Sequence, residues 1–272
     1  MEHFDKNRRG KPTYKKTEVK FKVSKLYLDS NLLGTGSIQI NKLRNEWSRI
    51  EISLRKNQLT KFPGSDSLPI NTTSLDLSDN FLTNADGLDM YPCIDTLRMS
   101  NNKLKKVPKL SLKPPQCINF TRSDDHMYLT MDISYNKISS VRMDDFRFDG
   151  VKCGTTEFFW KEINLAGNDI TDVEGFTLNH TGHEFGTIDI SDNNLTVLDY
   201  SIIDNDYSCP NSYKRSYSRE NELILYDNPI NCKSKNILTA VERNSLLQST
   251  SRIELLCYHP QELHGISFHE LT

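Results

Sequence analysis

The sequence predicts an α/β solenoid, a curved stack of short coils with a parallel β-sheet on the concave face and an irregular or short-helical convex side. Three observations predict it. A short phrase, apolar-x-apolar-x-x-Asn-x-apolar, recurs eight times in 272 residues. Four of the intervals between its asparagines, 26, 23, 22 and 25 residues, fall within the roughly 20–29-residue period of one family of stacked-coil arrays; the others are 34, 32 and 35. Only 36% of residues are hydrophobic and mean hydropathy is −0.58, which suits a thin, elongated body better than a globular core.

The phrases are Leu26-Leu28-Asn31-Leu33, Ile52-Leu54-Asn57-Leu59, Leu75-Leu77-Asn80-Leu82, Leu97-Met99-Asn102-Leu104, Met131-Ile133-Asn136-Ile138, Ile163-Leu165-Asn168-Ile170, Ile188-Ile190-Asn193-Leu195 and Leu223-Leu225-Asn228-Ile230. Each apolar-x-apolar core reads as a strand with alternate side chains inward. The chain then turns sharply, and the turn strips backbone groups of their strand partners. Buried backbone groups must be paired. An asparagine amide both donates and accepts, so a column of them can serve successive turns. One coil cannot bury its own apolar edge, but stacked coils share a core.

These phrases resemble the leucine-rich repeat family. The resemblance covers roughly residues 23–272 and implies a leucine-rich repeat horseshoe. It divides the chain into a basic, poorly ordered segment at 1–22, an array of about eight repeats at 23–227, and a C-terminal flanking cap at 228–272. The first 25 residues carry Lys6, Arg8, Arg9, Lys11, Lys15, Lys16, Lys20, Lys22 and Lys25 against Glu2, Asp5 and Glu18. Their first reading is a solvated tail and their second a polyanion-binding arm.

The cap rests on Asn228-Pro229-Ile230-Asn231-Cys232, with Cys257-Tyr258-His259-Pro260 and Leu263-x-Gly265 about 25 residues on. It resembles the cysteine-bearing C-terminal cap of extracellular leucine-rich repeat proteins of the Toll-like receptor and adhesion type. The resemblance implies a Cys232–Cys257 disulfide, contributing roughly 3 kcal/mol. Ser234 stands where that family has a further cysteine, and no cysteine follows Cys257, so a second bridge is absent at both ends. The other four cysteines leave several pairings open. Cys93 with Cys117 and Cys153 with Cys209 is one, Cys117 with Cys153 is another, and buried thiols are a third.

Six cysteines in all fit an oxidising compartment. Sequons at Asn71, Asn119, Asn179 and Asn194 point the same way, toward a disulfide-bonded glycoprotein at the cell surface or outside the cell. The chain shows no secretory leader and no apolar run of the roughly 20 residues that cross a bilayer. The expectation is therefore an excised or incomplete ectodomain, with a cytoplasmic scaffold that docks an enzyme as the alternative. Net charge is −2, so no nucleic-acid partner is expected.

Strand positions that point away from the core line the concave face. The candidate partner-binding residues there are Tyr27, Arg55, Asp76, Arg98, Asp132, Asn164, Asp189, Ile224 and Tyr226, read as a surface for a protein or peptide ligand. The candidate structural ladder is Asn31, Asn57, Asn80, Asn102, Asn136, Asn168, Asn193 and Asn228. Long coils at 103–135, 137–167 and 194–227 carry insertions, one rich in tyrosine, that offer a second surface. No catalytic constellation, cofactor loop or metal motif emerges. His180-Thr-Gly-His183-Glu184 is not H-E-x-x-H, and Gly34-Thr-Gly36 lacks the third glycine of a nucleotide loop. The reading is of a non-enzymatic recognition module.

Overall fold

A computed structural model describes residues 24–40, 49–64, 66–110, 127–146, 158–174, 185–197, 222–233, 252–254, 256–267 and 270. Within them the chain is a leucine-rich repeat solenoid. Nine strands form one parallel sheet in near-sequential order: β1 (Lys25–Tyr27), β2 (Ile50–Ser53), β3 (Thr72–Asp76), β4 (Thr96–Arg98), β5 (Met127–Asp132), β7 (Phe158–Asn164), β9 (Phe185–Asp189), β10 (Glu222–Ile224) and β11 (Arg252–Glu254). The strand β6 (Ser140–Arg142) pairs in parallel with β8 (Asp172–Glu174) in a separate two-stranded sheet. That second sheet differs from the irregular or short-helical surface expected there. It forms where Val141 and Val173 are both buried and can share one register.

The register explains the core. Leu26, Ile52, Leu75, Leu97, Met131, Ile163, Ile188, Leu223 and Ile253 lie side by side across the large sheet. From Ile52 to Leu223 this column is fully buried, as is the next one, Leu54 to Leu225. Leu26, on the first described strand, is only half-buried. Aromatic rings fill the wider spaces behind. Tyr91 is buried edge-on to Phe62 and donates its hydroxyl to the Pro63 carbonyl at 3.1 Å. Trp160 stands edge-on to Phe146 and donates its indole N–H to the Phe146 carbonyl at 3.2 Å.

The asparagines form the second half of the interior. Asn136 shows the pattern. Its Oδ1 accepts the Leu104 N–H of the preceding coil at 2.9 Å. Its Nδ2 reaches three carbonyls, those of Met99, Ile133 and Ser134. Asn57, Asn80, Asn102, Asn168, Asn193 and Asn228 repeat the arrangement, each tying its own turn to the coil before it. All seven are buried. Asn31 differs: it is exposed, and its amide reaches only the Asp29 carbonyl of its own turn. No described coil lies on its N-terminal side to supply the other partners.

Each ladder asparagine is preceded by a residue in the left-handed region: Ser30, Lys56, Asp79, Asn101, Tyr135, Gly167, Asp192 and Asp227, with φ between 52° and 66°. That conformation lets the chain turn inward just before the asparagine. It also aims the backbone N–H at the next coil, as Lys56 to the Ser78 carbonyl at 3.0 Å and Tyr135 to the Ala166 carbonyl at 2.7 Å. Asp, Asn and Gly fill five of the eight places, the residues that tolerate this geometry best.

The array ends in a tight closure. Cys232 and Cys257 are bonded, both buried, with Cα atoms 5.6 Å apart. The Ile230 carbonyl accepts the N–H groups of Tyr258 and His259, and the His259 carbonyl accepts that of Cys232. A single 3₁₀ turn at Gln261–Leu263 and Gly265, at φ 81°, fold the chain back so that the Gly265 N–H reaches the Cys257 carbonyl. Residues 228–272, assigned above to the cap, therefore also supply the ninth strand of the main sheet.

A concave face of engaged carboxylates and an exposed arginine

The strand alternation that buries the Leu75 column turns its neighbours outward. Tyr27, Ser53, Asp76, Arg98, Asp132, Asn164, Asp189 and Ile224 lie on a single line across the sheet, and Glu254 extends it. Arg55 and Tyr226 come two residues later in their coils, beyond the strand ends. Tyr27, Arg55 and Arg98 are exposed; Asp76, Asp132, Asn164, Asp189, Ile224 and Tyr226 are half-buried.

The carboxylates in this line have work of their own. Asp76 Oδ1 accepts the Ser78 N–H at 2.9 Å, Asp132 that of Ser134 at 3.1 Å, and Asp189 that of Ser191 at 2.9 Å. Asn164 does the same for Ala166 at 3.0 Å. These are local side-chain turns that satisfy the N–H two residues on. The second coil has Ser53 at this place and borrows its acceptor. Asp29 of the first coil takes the Arg55 N–H at 2.9 Å and the Ser53 hydroxyl at 2.5 Å. The recurrent Asp-x-Ser is thus a turn device, and one oxygen of each carboxylate is committed to it.

Charges elsewhere on the face are mostly paired. Arg55 Nε meets Asp79 Oδ2 at 2.7 Å, and this contact raises the Arg55 pKa above its ordinary value. Lys25 meets Glu51 at 2.7 Å, with the same direction of shift for the same reason. Arg49 spans β3 to pair with Asp95. Burial pushes the Asp95 carboxyl up, and Arg49 opposes it. Arg98 stands apart. Flanked in register by Asp76 and Asp132, it makes no ion pair among the described residues.

The remaining sequence candidates fall as follows. Cys93 is disulfide-bonded, with a partner outside the described residues, where Cys117, Cys153 and Cys209 also lie. Asn194 is exposed, and so is Thr196 of its sequon. Asn71 is half-buried, and Thr73 of its sequon is buried. Asn119, Asn179, the His180–His183 pair and the tyrosine-rich insertion lie outside the described residues. Among the described residues no cluster of His, Cys, Asp and Glu could hold a metal ion, and no helix is long and apolar enough to cross a membrane. Sequence reasoning missed Asp79 as the partner of Arg55. Its place just before a ladder asparagine, one coil on, was the available signal.

No model of a known protein family matches the sequence, and no curated protein matches it. Among solved structures, the chain is similar to a complex of Latrophilin 3, Unc5D and the leucine-rich repeat domain of FLRT2. Identity is 17%, coverage 92% of this chain and 89% of that one, and the TM-score 0.37. It is also similar to human 5T4 (Wnt-activated inhibitory factor 1, trophoblast glycoprotein), at 14% identity, 90% and 92% coverage and TM-score 0.44. A third is the LRIM1/APL1C complex, at 19% identity, 87% and 52% coverage and TM-score 0.42. At these scores the fold assignment stands on the chain's own sheet register and asparagine bonds.

Proposed function

We propose that this chain is a non-enzymatic protein-recognition module of an extracellular receptor or adhesion protein, binding a protein or peptide partner on its concave face. The observation that carries the reading is Arg98. It is an exposed arginine on a continuous sheet face, with no ion-pair partner among the described residues, between two carboxylates each already holding a turn N–H. Arginine is a frequent anchor of protein interfaces because its planar fork bonds in two directions and gives up little hydration. Tyr27 at one end of the line, and Ile224 with Tyr226 toward the other, offer apolar and aromatic area. The buried Cys232–Cys257 disulfide and the exposed Asn194 sequon support an oxidising, secretory setting.

The test is a screen of the protein against an array of purified cell-surface and secreted ectodomains, repeated with Arg98→Glu and Arg142→Glu. Arg142 lies on the small convex sheet, paired with Glu174 at 3.1 Å. The reading predicts a partner whose binding falls about tenfold or more with Arg98→Glu, at unchanged thermal stability, and is untouched by Arg142→Glu. Equal losses from both substitutions would contradict a concave site.

A further inference from the structure

The described ion pairs use Lys25, Arg49, Arg55, Lys137, Arg142 and Lys233. Five lysines outside that set, Lys61, Lys103, Lys105, Lys106 and Lys109, converge on one groove. It runs along the flank of the solenoid where the chain leaves the asparagines of the second, third and fourth coils. It consists of two adjoining hollows of about 660 and 590 Å³ that share Thr83, Asn84 and Asp86 as lining. The stacking builds it. The stretch Lys103-Leu104-Lys105-Lys106-Val107-Pro108-Lys109 buries Leu104 while its lysines stay exposed. Lys61 joins them from two coils earlier. Among the described lining residues only Asp86 and Asp89 carry negative charge, so these residues sum to +3, five lysines less two aspartates, on a chain whose total is −2.

We propose that this flank groove binds an acidic polysaccharide, a chain bearing sulfate or carboxylate groups, independently of the concave face. The charge pattern selects the ligand class. Lysine ammoniums are point charges on flexible stems, suited to anionic groups at variable angles rather than to one fixed bidentate acceptor. The wall between the lysines is hydroxyl- and amide-bearing, with Thr60, Thr83 and Asn84. Phe81 offers an aromatic face, 45% exposed, with the Lys103 ammonium 4.9 Å from its centroid. Asp86 and Asp89 accept hydrogen bonds from hydroxyls but repel an unbroken row of anions. Alternating charge and hydroxyl is the chemistry of an acidic sugar chain. A uniformly charged acidic peptide lacks the hydroxyls and meets the two aspartates as repulsion.

The experiment measures binding of the full chain to immobilised heparin, to desulfated heparin and to polyglutamate, at several salt concentrations. Wild type is expected to bind heparin in a salt-sensitive way and to prefer it over both other probes. The triple substitution Lys105→Glu, Lys106→Glu and Lys109→Glu is expected to weaken binding about tenfold or more at unchanged thermal stability. Lys161→Glu, on β7, is expected to leave it as it was. Asp86→Lys is expected to tighten binding about twofold or more, and it carries the test alone if the triple variant does not fold. The proposal is overturned if wild type does not bind heparin or binds polyglutamate equally well. It is also overturned if the folded triple variant keeps wild-type affinity, which would assign binding to the basic 1–22 segment, or if Asp86→Lys fails to tighten it. Because the groove and Arg98 are on different surfaces, Arg98→Glu should leave heparin binding intact, whatever becomes of the concave-face reading.

Discussion

The interior file of asparagines and the outward row of carboxylates do the same job from opposite sides of one turn. Asn136 takes the Leu104 N–H, and Asp132, four residues earlier, takes the Ser134 N–H. The difference is water. Asn136 is buried and reaches a neighbouring coil, so nothing can replace it. Asp132 is half-buried and bonds within its own turn, so solvent stands ready. An interior polar group is a structural commitment, while an outward one can be exchanged without undoing the coil. That is how one scaffold keeps its fold fixed and leaves its concave surface open to change.

The largest expected effect breaks the interior side of the comparison. Asn136→Ala strands the buried Leu104 N–H and removes one of two donors from each of the Met99, Ile133 and Ser134 carbonyls. It should cost about 2–3 kcal/mol in urea unfolding monitored by circular dichroism. Asn31→Ala is the same chemical change at an exposed place with one bond within its turn, and should cost less than about 0.5 kcal/mol. A similar loss at both positions would show that residue type, and not burial, sets the cost. The outward row gives a smaller effect. Asp132→Ala should cost about 1 kcal/mol, because the Ser134 N–H loses its acceptor. Asp132→Asn should lie near wild type, since Asn164 already does this work with an amide oxygen.

Legibility in the sequence follows the same divide. The asparagine phrase announced the coils because only a side chain that donates and accepts can serve a buried turn, leaving little freedom at that position. The alternation around it placed the outward row. It did not tell that Asp76, Asp132 and Asp189 are partly spent on their own turns, since Asp-x-Ser reads equally well as ladder filler. The left-handed residue before each asparagine was hidden because Lys56 and Tyr135 occupy a geometry usually signalled by Gly or Asn. Tyr135 has a further neighbour there: a Cβ added to Gly167 would come within 2.4 Å of its ring, so that glycine is what lets the ring lie down. The ninth strand went unseen because Tyr258 stands where the phrase has its asparagine, five residues after Ile253. The small convex sheet has only three residues in each strand, too few for alternation to reveal.

Native-state hydrogen exchange by NMR tests the stacking of these coils most directly. The amides of Leu59, Leu82, Leu104, Ile138, Ile170 and Leu195 each donate to an asparagine oxygen of the following coil. They should be among the slowest to exchange, with protection comparable to that of Leu75 and Leu97 in the sheet. If those six amides exchange as fast as those of the exposed Lys105 and Lys106, the asparagines do not bind coil to coil, and the account of this fold is wrong.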